Sequence, residues 1–379
     1  MSTTRRQWLK RSSLAAMGLT MSFRSFAHED DFLLDDDYGS QAGLVNLGAN
    51  ENPYGISPLA RQAIMDMIPL SNRYQFNIPS VLSFKNQLAD YYKVSPDYIS
   101  ITAGSTEILT LLPKYFRKGN LVTASPTFNT LPTFSAKAGM EVIEVPLNAA
   151  KEHDLPNMLA SINAYTQLVY ICNPANPTAT IIKPAVLKSF CEEAARKTLV
   201  VIDEAYIDFL NAPDNESMIA LIEKNPNVVV LRTFSKIHGM AGLRIGFMVA
   251  HPSLISKLED DYFQYTQMGA SNLSIAAASA SLKDEAHRAD CKQKNEAARA
   301  YTTESLKKLG IQPIPSYTNF IFFPLGKYPG DFAKDMLGNH NILLRSNSYP
   351  DGKWGRVSMG TMDEMKQFIS VMQQTWKYS

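Results

Sequence analysis

The stretch Thr233-Phe234-Ser235-Lys236-Ile237-His238-Gly239-Met240-Ala241-Gly242-Leu243-Arg244-Ile245-Gly246 joins residue types that can do covalent chemistry. A lysine follows hydroxyl-bearing neighbours at the end of an apolar run, Val228 to Leu231, that reads as a buried strand. An arginine follows eight residues later, with glycines between and after. The arrangement suits a lysine amine bound to an aldehyde whose phosphate needs hydroxyls and a guanidinium close by. Pyridoxal phosphate is such an aldehyde: it forms a Schiff base with lysine, and its ring takes up electrons from carbanions.

Upstream residues complete that chemistry in order. Asp203 ends a second apolar run, Thr198 to Ile202, where open α/β sheets place their ligands. There it can keep a pyridine nitrogen protonated, or simply cap a following helix. Tyr206 is within reach of the ring's phenolic oxygen. A third run, Gln167 to Cys172, ends in Asn173-Pro174-Ala175-Asn176-Pro177-Thr178-Ala179. Its two Asn-Pro pairs restrict the backbone and set the Asn176 amide to donate to the same oxygen. Ile99 to Thr102 reads as a strand, Ala103 to Thr106 as a turn, and Glu107 to Phe116 as a helix. A helix N-terminus favours anions, so Ser105 and Thr106 are candidates for the phosphate. Phe128 follows the strand Leu121 to Ala124 and can stack on the ring.

These ordered motifs resemble the fold-type-I pyridoxal-phosphate aminotransferases of class I/II, nearest the histidinol-phosphate aminotransferase branch. The resemblance runs from about Leu44 to the C-terminus. It includes Asn50-Glu51-Asn52-Pro53-Tyr54-Gly55, Arg73-Tyr74 and Arg356-Val357-Ser358-Met359-Gly360-Thr361 beside the segments above. It implies that Lys236 carries the cofactor, that Asp203 partners the ring nitrogen, and that Asn176 and Tyr206 contact the ring oxygen. Phe128 would stack on the ring, and Ser105, Thr106, Thr233, Ser235 and Arg244 would hold the phosphate. Arg356 would take the substrate carboxylate through a bidentate fork. Tyr54 would border the substrate, and Tyr74 would reach into a neighbouring subunit's site, which implies a homodimer.

Three departures from the family pattern stand out. The turn that usually ends Asn-Pro-Thr-Gly has Ala179, which is strained if the position needs a positive φ. Arg73-Tyr74-Gln75-Phe76-Asn77 lacks the family's proline after the tyrosine. Arg345, in Leu344-Arg345-Ser346-Asn347-Ser348-Tyr349, can serve a substrate phosphate, but its surroundings differ from those of the biosynthetic enzymes.

The elements that must position these groups follow from the chain's alternation. A 379-residue chain with 45% hydrophobic residues can bury a large core. Alternating strand and helix patterns from about 95 to 280 predict an α/β fold with a mostly parallel central sheet. A long helical stretch, Glu285 to Leu309, leads into a smaller α+β domain with Asn319 to Phe323, Arg356 to Met359 and a last helix from Met362. The expected divisions are a signal peptide over 1–27, a linker and arm over 28–71, a large cofactor domain over 72–284 and a small domain over 285–379. The three cysteines have no paired or metal-like spacing, the six histidines form no zinc pattern, and no basic patch suits nucleic acid.

Thr4-Arg5-Arg6-Gln7-Trp8-Leu9-Lys10 resembles a twin-arginine export motif. Leu14 to Phe23 follows as an apolar stretch too short to span a bilayer, and Ser25-Phe26-Ala27 as a small-residue cleavage site. Cleavage there leaves 32 basic against 36 acidic side chains, a net of −4. The expectation is a periplasmic enzyme, with a cytoplasmic one carrying a basic arm as the alternative. The expected reaction moves an amino group between an amino acid, or an amine derived from one, and a 2-oxo acid. A decarboxylase of the same fold and a cofactor-binding protein without turnover are the alternatives.

Overall fold

The computed structural model describes residues 43–74, 80–263 and 269–376. The export motif and the altered Gln75-Phe76-Asn77 segment lie outside the described residues. A short strand, β1 (Val45–Asn46), opens the described chain. The central sheet then takes β2 (Ile99–Thr102), β3 (Asn120–Ser125), β4 (Glu141–Pro146), β5 (Thr166–Cys172), β6 (Leu199–Asp203), β7 (Val228–Thr233) and β8 (Gly246–Val249). Their order is β2-β8-β7-β6-β5-β3-β4, and β8 alone runs antiparallel to both its neighbours. The mostly parallel sheet expected from the alternation is therefore present.

Parallel strands covered by helices on both faces read as continuous apolar runs. Here the period of two assigns each run to two layers. Val169, Ile171, Val200, Ile202, Val228 and Val230 face one layer, with Phe84 and Leu88 of the helix Ser80–Tyr92 and Leu187 and Phe190 of the helix Pro184–Ala194. Leu168, Tyr170, Leu199, Val201, Val229 and Leu231 face the other, with Ile108, Leu109 and Leu112 of the helix Ser105–Phe116. Burying each such side chain stabilises by roughly 1.5–3 kcal/mol. A one-residue slip of any strand would exchange its two layers.

A third core gathers the C-terminal elements. The helix Glu285–Lys308 leads to β9 (Phe320–Gly326), β10 (Ile342–Leu343), β11 (Arg345–Tyr349) and β12 (Gly352–Ser358), then the helix Met362–Thr375. β12 lies between β11 and β9 in an antiparallel sheet, while β1 pairs in parallel with β10. Val45 and Leu47 share their core with Ile321, Phe323, Val357, Phe368 and Ile369. Thr361 caps the last helix through a reciprocal box with Glu364, so that β12 ends at a fixed point.

Sheet direction explains why chemistry gathers at one edge. β2, β3, β5, β6 and β7 all point the same way. The residues that follow their carboxyl ends, Ser105, Phe128, Asn176, Tyr206 and Lys236, are delivered to that edge. Because β8 runs the other way, Arg244, which precedes it, arrives there too.

Candidate active site

At this edge lies a cavity of ≈ 280 Å³, and eleven of the residues singled out in the sequence line it. They are Ser105, Thr106, Phe128, Asn176, Asp203, Tyr206, Thr233, Ser235, Lys236, Arg244 and Arg356. Tyr54, Tyr74 and Arg345 do not line it. Tyr54 packs against the cluster that holds Tyr206, and Tyr74 is 70% exposed at the end of a described segment. Arg345 sits on β11 with its Cα paired to that of Arg356.

Two glycines shape one end of the cavity into a cradle. Gly104 takes φ +83, and a Cβ there would come within 2.7 Å of Arg244 Nη2. A Cβ on Gly246 would meet Arg232 O at 2.7 Å and Ser105 N at 2.9 Å. The left-handed turn at Gly104 starts the helix at Ser105, two residues earlier than the sequence suggested. Ser105 and Thr106 thus occupy its first turn, where backbone amides lack intrahelical partners and the dipole favours anions. Arg244, itself at φ 51, is steadied by Nη1 donating to Ala241 O at 2.9 Å. The Thr233 hydroxyl donates to Ser235 Oγ (2.9 Å) and accepts from Ser235 N (3.1 Å).

At the centre, Lys236 Nζ donates to the carbonyls of Asn50 (3.2 Å) and Ala49 (3.4 Å) and sits 5.5 Å from the centroid of the Tyr206 ring. Burial, then the Arg356 charge, pulls the Lys236 ammonium down to about 8. Asp203, 1% exposed, accepts from the Tyr170 hydroxyl at Oδ2 (3.1 Å) and from Ala205 N at Oδ1 (3.1 Å). Burial pushes its carboxyl up to about 6, against the pull of those two hydrogen bonds and of Lys236. An amine drawn toward neutrality and a buried carboxylate on one cleft are what proton transfer at a carbanion centre needs.

On the far wall, Arg356 Nη1 donates to Asn176 Oδ1 and Nη2 to Gly48 O, both at 2.8 Å. The Tyr206 hydroxyl accepts from Asn50 Nδ2 (3.0 Å) and Asn176 Nδ2 (3.4 Å). Burial raises the Tyr206 hydroxyl well above its ordinary value, so it stays protonated and remains a donor.

Asn50 was not assigned a role from sequence. At φ 55 and 2% exposed, it binds Tyr206, receives Lys236 on its carbonyl, and exchanges hydrogen bonds with Ser358. Its place in Asn50-Glu51-Asn52-Pro53 was the only available signal. Arg232 and Glu204 were also missed. They form a buried ion pair at 2.8 Å, one residue before Thr233 and one after Asp203. Ser217 and Met218 N also donate to Glu204. The pair ties the ends of β6 and β7 together, and removing one partner costs about 3–5 kcal/mol.

Ala179 does take a positive φ, at 63°, and is fully buried. The left-handed backbone costs a non-glycine residue about 1–2 kcal/mol. Its methyl group packs with Tyr206, Phe209 and Phe320, and one buried carbon returns about 0.8 kcal/mol. The packing thus offsets about half of that cost, and the alanine shares its cluster with Tyr206.

Pyridoxal phosphate fits this donor set. The glycine-lined cradle has no room for a Cβ, the free helix amides and Arg244 offer donors and charge suited to a dianion, and the Lys236 amine and the buried Asp203 carboxylate line the same cavity. Among the described residues no cluster of His, Cys, Asp and Glu is arranged for a metal ion. No described helix is long and apolar enough to cross a membrane.

Comparison with known proteins bears directly on this site. The family profile for aminotransferase class I and II matches residues 42–372. A histidinol-phosphate aminotransferase of Brevibacillus brevis is 33% identical over 344 residues, 89% of this chain and 93% of that protein. The crystal structure of histidinol-phosphate aminotransferase from Sinorhizobium meliloti, in complex with pyridoxal-5′-phosphate, aligns with a TM-score of 0.81 at 27% identity. The alignment covers 88% of this chain and 91% of that one. An L-threonine-O-3-phosphate decarboxylase from Porphyromonas gingivalis aligns with a TM-score of 0.73 at 21% identity, over 87% of this chain and 99% of that one, a likeness of fold alone.

Proposed function

The chain belongs to the class I and II aminotransferases, and on that premise we propose how its residues divide the work. It is a pyridoxal-phosphate-dependent enzyme that moves an amino group between an amino acid, or an amine derived from one, and a 2-oxo acid. When bound, the cofactor supplies an aldehyde for amine exchange and a ring that takes up the electrons left at the substrate Cα. Lys236 Nζ would hold the cofactor and, once displaced by the substrate amine, would be the free base that takes the Cα proton and gives it back. Its lowered basicity suits that exchange near neutral pH. Asp203 would keep the ring nitrogen protonated. Tyr206 and Asn176 would serve the ring oxygen, and Phe128 would stack on the ring. Arg244, with Ser105, Thr106, Thr233 and Ser235, would hold the phosphate.

One observation carries this reading: Lys236, Asp203, Arg244 and Arg356 line a single cavity although they come from the end of β6, the connection between β7 and β8, and β12 of the other sheet. A half-reaction screen with a panel of amines, histidinol phosphate included, tests it. Spectral conversion of the cofactor with release of a carbonyl product is expected, whereas release of carbon dioxide would make it a decarboxylase.

Arg356 binds the substrate carboxylate or equivalent anion. Asn176 Oδ1 and the Gly48 carbonyl accept from its guanidinium and fix its position, and Arg345 is paired with it on β11. Arg356 in the cavity, with Arg345 paired to it on the neighbouring strand outside the lining, favours an amine that carries one or two anionic groups, and the relative's activity makes a phosphorylated amine the first to try. Arg356→Lys is expected to weaken amine binding by about tenfold or more, since a point charge replaces a planar fork. Unchanged affinity in a titration of the holoenzyme would remove Arg356 from this role.

The active form in this reading is a homodimer with Tyr74 reaching the partner's site. Exposed apolar side chains along one segment, Leu59, Met65, Ile68, Leu70 and Tyr74, support it. A mixture of Tyr74→Phe and Lys236→Ala chains should regain activity through heterodimers with one unimpaired site. A fully active monomer in sedimentation would refute the dimer.

The sequence of residues 1–27 supports export by the twin-arginine route, which carries folded cargo already loaded with cofactor. Replacing Arg5 and Arg6 by lysine should keep active holoenzyme in the cytoplasm. Identical fractionation of the two proteins would reduce the N-terminus to a basic arm.

A further inference from the structure

We propose that Tyr170 is a positioning residue for Asp203, its hydroxyl keeping a shared proton on the cofactor's ring nitrogen rather than on the carboxylate. The inference rests on the reading of Asp203 as partner of that nitrogen. Tyr170 lies on β5, two residues before Cys172, whose Cα pairs with that of Asp203 on β6. Residues two apart on a strand share a face, so Tyr170 and Asp203 project from the same side of the sheet. The Tyr170 ring is fully buried in the layer that holds Val201 and Leu231. Its hydroxyl ends 3.1 Å from Asp203 Oδ2, and Ala205 N donates to Oδ1 at the same distance. Tyr170 carries the one hydroxyl in the run Leu168 to Cys172 and spends it on this carboxylate.

The consequence follows from where one proton prefers to sit. Burial keeps the Tyr170 phenol protonated, so it acts as a donor. A donor stabilises an ionised carboxylate more than a protonated one. The other polar neighbours of Asp203 act in known directions. Lys236, beyond β7, and Ala205 N favour the ionised form, Glu204 opposes it, and the thiol of Cys172 stays protonated. Burial has already brought the carboxyl up to about 6, toward the range of a pyridine nitrogen. Between two bases so close, a single buried hydrogen bond decides which one holds the proton.

The test follows the ring nitrogen directly. Wild-type, Tyr170→Phe, Asp203→Asn and the double variant are loaded with pyridoxal phosphate labelled with ¹⁵N in the ring. The nitrogen resonance is then followed by NMR across pH. Tyr170→Phe is expected to shift the nitrogen's protonation equilibrium about tenfold toward the neutral form. It should also lower kcat while leaving KM for the amine donor unmoved. Added to Asp203→Asn, it should change nothing further, since it acts through that carboxylate. Phenylalanine fills the same space save one oxygen, and the melting temperature of the apoprotein checks the fold. If that variant fails to hold the cofactor, 3-fluorotyrosine at position 170 keeps size and donor, and its more acidic hydroxyl should shift the equilibrium toward the protonated form. A wild-type resonance in Tyr170→Phe, an unmoved one with fluorotyrosine, or an equal loss in the Asp203→Asn background overturns the proposal. If Asp203→Asn alone leaves the nitrogen unmoved, the reading of Asp203 fails with it; if only Tyr170→Phe does, Tyr170 alone is wrongly placed.

Discussion

Replacing Lys236 by alanine is expected to lower steady-state transamination by at least 10²–10⁴-fold, the range that a positioned acid-base group contributes. The loss exceeds that of any other single change in the cleft, because one amine both carries the cofactor and moves the proton. The cradle is built from other residues, so the phosphate should still bind through Arg244 and the first turn of the helix Ser105–Phe116. Equilibrium dialysis should therefore find cofactor retained without the absorption band of the lysine linkage. Added methylamine should restore part of the proton transfer in a single turnover. A variant that turns over at the wild-type rate would show that another group does this work.

Asp203→Asn is expected to cost on the order of 10²–10³ in kcat, the scale of losing one preorganised electrostatic partner, because the ring nitrogen would lose the carboxylate that holds its proton. The carboxylate is 1% exposed and lines the cavity, so its charge acts in a largely desolvated setting. The amide is nearly the same size, so packing at the end of β6 should survive and the melting temperature should fall little. Burial lifts the wild-type carboxyl to about 6, so the sign of its pH effect can be stated. A folded-state value above the unfolded one means that the folded apoprotein binds the extra proton between about 4 and 6. Stability from this group is full below about 4 and declines as pH rises through 6. Asparagine should remove that decline. Equal slopes of apoprotein stability against pH in the two proteins would contradict the assigned environment.

Much of this site was legible because a buried parallel strand leaves a plain mark. The apolar runs ending at Cys172, Asp203 and Thr233 read as strands covered on both faces, and parallel strands bring their carboxyl ends to one edge. Lys236, Asp203, Asn176 and Arg244 follow from that geometry together with the resemblance. What the sequence hid was contact between distant segments. Asn50 reaches Tyr206 across 156 positions, and nothing local in Asn50-Glu51-Asn52 specifies a hub. Tyr170 read as one more apolar residue of β5, since only the register of β5 on β6 sets its hydroxyl beside Asp203. Arg232 inside a hydrophobic strand was a sign of a buried partner, yet Glu204 could be named only once the strands were aligned. The onset of the helix at Ser105 depended on a left-handed glycine, a conformation that composition does not announce.

The central claim is that Lys236 holds the cofactor in this cleft. Borohydride reduction of the holoenzyme, followed by proteolysis and mass spectrometry, tests it most directly. The account predicts a single phosphopyridoxyl group, on Nζ of Lys236 in the peptide that contains Thr233 and Ser235. A label on a different lysine, or no reducible linkage in a protein that binds the cofactor, would contradict it.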